Sequence, residues 1–212
     1  ADMVKRAFSE LIDVMKEGVA QAAAQEVAEN ALANAMRARG IWTKAAMESA
    51  KQLAVETSKL TLFTDDQALA AQRLLISLTG LTQRMMPETI KATANLAQAL
   101  GVDLETAART VSNSINGHSR ALNMLGFTID DALPKAKRLE QVLGQINDRF
   151  GGAAQGALNT YAGSTTQLRK AWDDLLKATG KFITESPVMR EILDAITKIF
   201  NRWADAIENS RG

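Results

Sequence analysis

The stretch PETIKATANLAQALGVDLETAARTV, Pro87–Val111, decides the fold class because it holds one whole helix and the start of the next. Pro87 stands where a helix begins, since the N–H that proline lacks would have no helical partner there. The helix Glu88–Leu100 ends at Gly101, and Asp103 is placed to cap the helix that follows. No period-two alternation lasts more than a few residues anywhere in the chain, so we predict an all-α protein.

Similar helix boundaries lie on both sides of this stretch. Thr64 with Gln67 three residues later forms a capping box, in which each side chain bonds the backbone N–H of the other. This box opens a helix that ends at Gly80. Ser164 with Gln167 predicts a second capping box near the end of the chain.

The segment between residues 116 and 150 contains turns and one further helix. Asn116-Gly117 indicates a turn, and the short apolar stretch Leu122–Phe127 fits either a helical turn or a brief extended segment. Pro134 starts a helix whose apolar residues share one side: Leu139, Val142, Leu143, Ile146 and Phe150.

The N-terminal region predicts a long helix, Met3–Ala38. Its apolar face fades into the Ala-rich stretch Ala20–Ala38, which either packs closely on a neighbour through small side chains or stays exposed. Gly40 is a C-cap, and a second helix runs from about Thr43 to Leu60.

Two amphipathic helices are predicted near the C-terminus. The first follows Ser164 and has an apolar face of Leu168, Trp172, Leu175, Leu176 and Ile183. The second follows Ser186-Pro187 and carries Val188, Ile192, Ile196, Ile199, Trp203 and Ile207. The prediction is an all-α fold of about eight helices: a long N-terminal Ala-rich helix followed by a compact multi-helix domain with Gly-punctuated loops.

Composition excludes several classes of function. The chain has no cysteine, which rules out disulfides, zinc–thiolate sites and thiol nucleophiles. Its 25 Lys and Arg nearly balance its 24 Asp and Glu, so specific nucleic-acid binding is not expected. The sequence has no apolar run long enough to span a bilayer. Because it starts at Ala1 rather than Met, we expect a fragment or a processed chain.

Residues that suggest chemistry have simpler interpretations. His118 is the only histidine and lies in a polar turn, so we expect a solvated loop histidine. The acid pairs are Asp65-Asp66, Asp130-Asp131 and Asp173-Asp174. Adjacent helical residues point about 100° apart, so such a pair does not converge on one site. The first two pairs are predicted to lie at helix starts, where negative charge is favourable.

Three short motifs are also weak evidence for a functional site. Glu185-Ser186 resembles the catalytic pair of lytic transglycosylases, but Pro187 follows it and a helix N-cap explains it better. Gly180-Lys181 lacks the upstream glycine of a phosphate loop. Gly152 and Gly156 have a small-x-x-x-small spacing that predicts a close helix contact. We therefore predict no catalytic, cofactor-binding or metal-binding residue, and no enzyme.

Several blocks of sequence, in order, resemble the conserved region of phage tail length tape measure proteins, called minor tail proteins in prophages. The resemblance covers residues 57–183. Its blocks are Leu60–Ala68, Ala70–Gln72, Leu78–Leu81, Ala97–Leu104 with Ala107-Ala108, Leu122–Thr128, Phe150–Ala154, Asn159–Gly163, Gln167-Leu168 and Trp172–Leu175. It implies three regions: an N-terminal helical arm (1–56), a tape-measure-like helical domain (57–185) and a C-terminal amphipathic helix (186–212).

The resemblance implies a structural virion protein of the tail lumen or tail tip, synthesised in the bacterial cytoplasm. It implies roles in tail assembly, length determination and genome ejection. The expected partners are other copies of the chain, tail tube and tail tip or baseplate proteins, and tail assembly chaperones. As a single helix, 212 residues would reach only about 320 Å, so we expect a folded module beside the ruler rather than the ruler itself.

Two alternatives stay open at this point. The first is contact with the host membrane during ejection, based on Phe200 and Trp203 with Lys198 and Arg202 nearby. In that case the segment is membrane-active and aids genome delivery. Packing of that face on the Trp172 helix or on a second copy is the simpler reading. A cell-wall hydrolase module, based on Glu185-Ser186, is the weaker alternative.

Overall fold

The computed structural model describes the backbone of residues 2–185 and the side chains of residues 13–160 and 162–181. The predicted all-α fold with about eight helices is confirmed, since the described residues form helices and no strand. The predicted helix at Val188–Ile207, together with Phe200 and Trp203, lies outside the described residues, as does the Ser186 cap.

The helices follow one another with short connections. They are α1 (Asp2–Ala38), α2 (Lys44–Leu60), α3 (Asp65–Thr79), α4 (Met86–Leu100), α5 (Leu104–Ile115), α6 (Arg120–Met124), α7 (Lys135–Phe150), α8 (Ala153–Gly156) and α9 (Tyr161–Glu185). Short 3₁₀ helices, Gln83–Met85 and Ala157–Asn159, precede α4 and α9.

The chain divides into two units. The smaller consists of Ala1–Ala24 with Ala171–Gly212, and the larger is Gln25–Lys170. The predicted boundaries after residues 56 and 185 stay predictions.

Helix α4 lies at the centre of the larger unit, where it contacts α2, α3, α5, α7 and α8. Its small residues Ala92, Ala94 and Ala97 are buried, which lets neighbouring helices come close. Thr89 and Thr93 are fully buried, but each hydroxyl donates to the carbonyl four residues earlier at 2.7 Å. The two threonine hydroxyls are therefore satisfied locally, and the helix is buried on most sides.

Most of the predicted helix ends are confirmed. Both bonds of the Thr64–Gln67 capping box are present, at 3.0 and 3.3 Å. Asp103 accepts the N–H of Thr106 at 2.7 Å. Gly80 ends α3 at a φ of 67°, a left-handed conformation that costs glycine little. The stretch Leu122–Phe127 forms the end of α6 and the loop after it.

The second capping box is wrong. Ser164 lies inside α9, and its hydroxyl donates to the carbonyl of Thr160 at 3.3 Å. The hydroxyl of Thr160 accepts the N–H of Gly163 at 3.0 Å instead. The helix therefore starts several residues earlier than predicted, because a different hydroxyl satisfies its first free N–H groups.

The predicted helix that carries the apolar stripe is present as α9, but most of the described side chains of the stripe are exposed. Leu168, Trp172 and Leu175 are 74%, 51% and 56% exposed, whereas Leu176 is 1% exposed. The side chain of Ile183 lies outside the described set. Of the stripe residues whose side chains are described, Leu176 is the buried one.

In the smaller unit, two glycines bring α1 and α9 into backbone contact. A Cβ on Gly180 would overlap the carbonyl oxygen of Gly18, and one on Gly18 would lie 2.8 Å from that of Leu176. Gly152 and Gly156, predicted to make such a contact, have nothing within 4 Å of an added Cβ, so that prediction is wrong. The close approach belongs to glycines that the spacing argument did not select.

We expect Gly180→Ala to lower the free energy of unfolding by about 1–3 kcal/mol, because the new methyl group must push two backbones apart. Gly156→Ala is the matched control, and we expect it to be neutral or stabilising by up to about 1 kcal/mol, since its site is open and helical. Urea unfolding followed by circular dichroism measures both. Equal stability of the two variants would contradict the close backbone contact between α1 and α9.

Candidate interaction site

The connection between α6 and α7 is a long irregular segment that lies next to a pair of exposed apolar side chains. We call residues 125–131 the presented loop. The N–H groups of Leu125, Gly126 and Phe127 donate to carbonyls at the end of α6. The rest of its backbone needs other hydrogen bonds to be held in place, and α7 supplies many of them.

One face of α7 carries four long polar side chains. They are Arg138, Gln141, Gln145 and Arg149, and we call them the polar row. Their spacing of three or four residues places them one above the other on the helix. The neighbouring face of α7 carries Leu139, Val142, Leu143 and Ile146, all buried in the core.

The glutamines of the polar row hold the middle of the presented loop. Gln145 accepts the N–H of Thr128 at 2.9 Å and donates to the carbonyl of the same residue at 2.7 Å. Gln141 accepts the N–H of Asp130 at 2.9 Å. These three bonds pair the loop backbone as a neighbouring strand would.

The arginines hold the two ends of the loop. Arg149 donates to the carbonyls of Leu125, at 3.3 Å, and Gly126, and its guanidinium lies 4.6 Å from the centre of the Phe127 ring. Arg138 donates to the carbonyls of Asp131 at 2.6 Å and Leu133 at 2.7 Å. Charged donors make stronger bonds than neutral ones, so both ends of the loop are firmly held.

Arg138 also ties the loop to the core. It is buried, and its Nε donates to the carbonyl of Ile115 at the end of α5, at 2.8 Å. The guanidinium therefore has three carbonyl acceptors, which offset the cost of burying its charge.

The inner side of the loop is apolar. Phe127 and Ile129 are buried, and the Phe127 ring lies 5.9 Å from that of Phe150. Asn123 accepts the N–H of Ile129 at 3.0 Å and donates to its carbonyl at 3.4 Å. Alternate residues thus point into the core, while Thr128 and Asp130 lie against the polar row.

The tip of this arrangement is an exposed apolar pair. Met124 is 77% exposed and Leu125 is 46% exposed. Gly126, with a φ of 83°, turns the chain back immediately after them. An apolar pair held on a well-bonded loop is suited to contact with another protein, because little conformational entropy is lost on binding.

Asp131 fastens the far end of the loop to the start of α6. Its carboxylate accepts the N–H of Ser119 at 3.2 and 3.3 Å. Hydrogen bonding from the Ser119 side chain and N–H, with the positive charge of Arg138, holds the pKa of Asp131 below its ordinary value. Asp130-Asp131 was predicted to begin a helix. That prediction is wrong, because α7 begins at Lys135 and Asp131 serves α6 instead.

The other candidate residues do not assemble a site. Asp65 and Asp66 lie in the first turn of α3, as predicted, and His118 is an exposed residue before α6. Gly180-Lys181 lies within helical α9, and Glu185 is its last residue. Among the described residues, no group of three or more His, Asp or Glu is placed to hold a metal ion.

Within residues 2–185, no helix has both the length and the apolar character needed to cross a membrane. No protein-family model, curated protein or solved structure matches the chain.

We expect Gln145→Ala to loosen the presented loop, because it removes two backbone hydrogen bonds. At about 1 kcal/mol per bond, local opening should rise about five- to thirtyfold. Chymotrypsin cleavage next to Leu125 and Phe127 measures that opening. Gln52→Ala, at an exposed position of α2, is the matched control, and the two variants should differ clearly in cleavage rate.

We expect acid to release Asp131 from Ser119. Because the folded-state pKa lies below the unfolded value near 4, the stabilisation is complete above about pH 4. It is lost as the pH falls through the folded-state pKa. An NMR titration of the Ser119 amide should have its midpoint below about 4, and Asp131→Asn should abolish this step. A midpoint at or above the ordinary value would argue against the contact.

Proposed function

We propose that the chain is a helical docking module of a phage tail tape measure protein. In this proposal it is a structural component of the virion tail that acts in tail assembly and genome ejection. It meets another tail protein through the tip formed by Met124 and Leu125. No catalytic activity is part of the proposal.

The exposed tip is the observation that carries this proposal. Phe127 is buried and Gly126 has a positive φ, so the fold itself accounts for these two residues. Met124 and Leu125 contribute little to the core, since they are mostly or half exposed. Apolar side chains with no role in the core are suited to burial against a partner.

The sequence resemblance supports the identity of the larger protein. The block Leu122–Thr128, which resembles the tape measure family, contains the tip and half of the presented loop. Other resembling blocks contain the Thr64 cap, Gly80 and Gly101, which end or begin helices. The residues behind the resemblance thus have definite structural roles in the larger unit.

The folding of the larger unit favours a docking role over a measuring role. An extended helical ruler gains about 1.5 Å of length for each residue. In residues 25–170, α4 instead contacts five other helices, so the chain turns back on itself. Such a unit adds far less length per residue than a rod does.

We expect the double substitution Met124→Asp with Leu125→Asp, introduced into the phage that encodes the chain, to lower the titre of infectious particles at least about a hundredfold. Burying two carboxylates at an apolar contact costs more than the roughly 2.7 kcal/mol that a hundredfold requires. Plaque counts and electron microscopy of tails measure the effect.

Val27→Asp is the matched control, since Val27 is 69% exposed on α1. Its titre should stay within about twofold of the parent. Circular dichroism of the isolated chain should be the same for all variants, because the tip is outside the core. A normal titre and normal tails for the double variant would overturn the proposal.

A further inference from the structure

The charged side chains beside the tip indicate what kind of partner surface the tip fits. Arg120 and Met124 are four residues apart on α6, so their side chains lie on one face of that helix. Both are exposed, whereas Leu122 on the other side of α6 is fully buried. The apolar tip therefore has an arginine at its edge.

A second arginine, from α7, also lies beside the tip. Arg149 donates to the carbonyls of Leu125 and Gly126, and this fixes its positive charge next to the tip. Carbonyl oxygens satisfy its N–H groups but do not cancel its charge. Arginines from two helices therefore lie beside the tip.

Carboxylates of the chain do not neutralise Arg120. Arg120 takes part in none of the ion pairs Lys51–Glu29, Arg73–Glu105 and Lys137–Glu140. Asp131 is held by Ser119, and the charges that influence its pKa are those of Arg138 and His118. Arg120 is accordingly available for a carboxylate from outside.

From this arrangement we infer that the partner of the tip has an apolar recess edged by at least one carboxylate, which receives the guanidinium of Arg120. This inference rests on the proposed function and adds the chemistry of the partner. Met124 fills the recess, since its unbranched side chain adapts to irregular apolar surfaces. Arg120 binds the carboxylate through two parallel N–H···O bonds, which set the orientation of docking.

The test is a charge reversal in the phage, Arg120→Glu. The negative side chain would face the partner's carboxylate, and we expect the titre to fall at least about tenfold. Arg120→Lys keeps the charge but not the two parallel bonds, so its loss should be smaller. Lys91→Glu, an equal change of charge at an exposed site of α4, should leave the titre unchanged.

Selection of revertants identifies the partner. Large-plaque revertants of Arg120→Glu should carry an Asp or Glu changed to Lys or Arg in another tail gene. A normal titre for Arg120→Glu, or revertants that restore only position 120, would overturn the inference. The proposed function would still stand if the Met124 and Leu125 double variant were defective, so the two failures are distinguishable.

Discussion

Backbone groups outside helices and strands must find partners, and in the presented loop side chains of α7 bond the backbone of Thr128 and the N–H of Asp130. Gln141 and Gln145 pair with the backbone at Asp130 and Thr128, and the two arginines of the polar row hold the ends. Without the row, the backbone groups of Thr128 and the N–H of Asp130 would have to pair with water. The position of the exposed tip depends on the row together with the bonds from the loop backbone to carbonyls of α6.

The polar row is only as rigid as the helix that carries it. The apolar face of α7 packs in the core, where α7 contacts α4 and α5. The buried guanidinium of Arg138 connects the same helix to the end of α5 at Ile115. A continuous series of packed and hydrogen-bonded groups therefore runs from the centre of the larger unit to its exposed tip. The packing of α7 in the core therefore helps the irregular loop to keep one conformation.

Much of the fold could be predicted from local sequence, because helix ends depend on neighbouring residues. Thr64 with Gln67, Asp103, Gly80 and Gly101 act within four residues of themselves, and each was placed correctly. The Ser164 box failed because Thr160 offers a competing hydroxyl a few residues earlier. The polar row was missed because most of its bonds, those of Gln141, Gln145 and Arg149, join residues that are 11 to 24 positions apart. Gln141, Gln145 and Arg149 also have the composition of an ordinary solvated face, although their regular spacing of four was a signal.

The proposed role of the tip follows from the contrast between its exposed apolar residues and the buried apolar residues that come after it in the sequence. Phe127 and Ile129 are apolar because they fill the core, whereas Met124 and Leu125 are apolar at the surface. Hydrogen–deuterium exchange at the amides of Thr128 and Asp130 tests this account most directly, since both residues are exposed and their N–H groups bond only to the polar row. The account predicts protection comparable to that of the amides inside α7. Exchange at the rate of an unstructured peptide would contradict it.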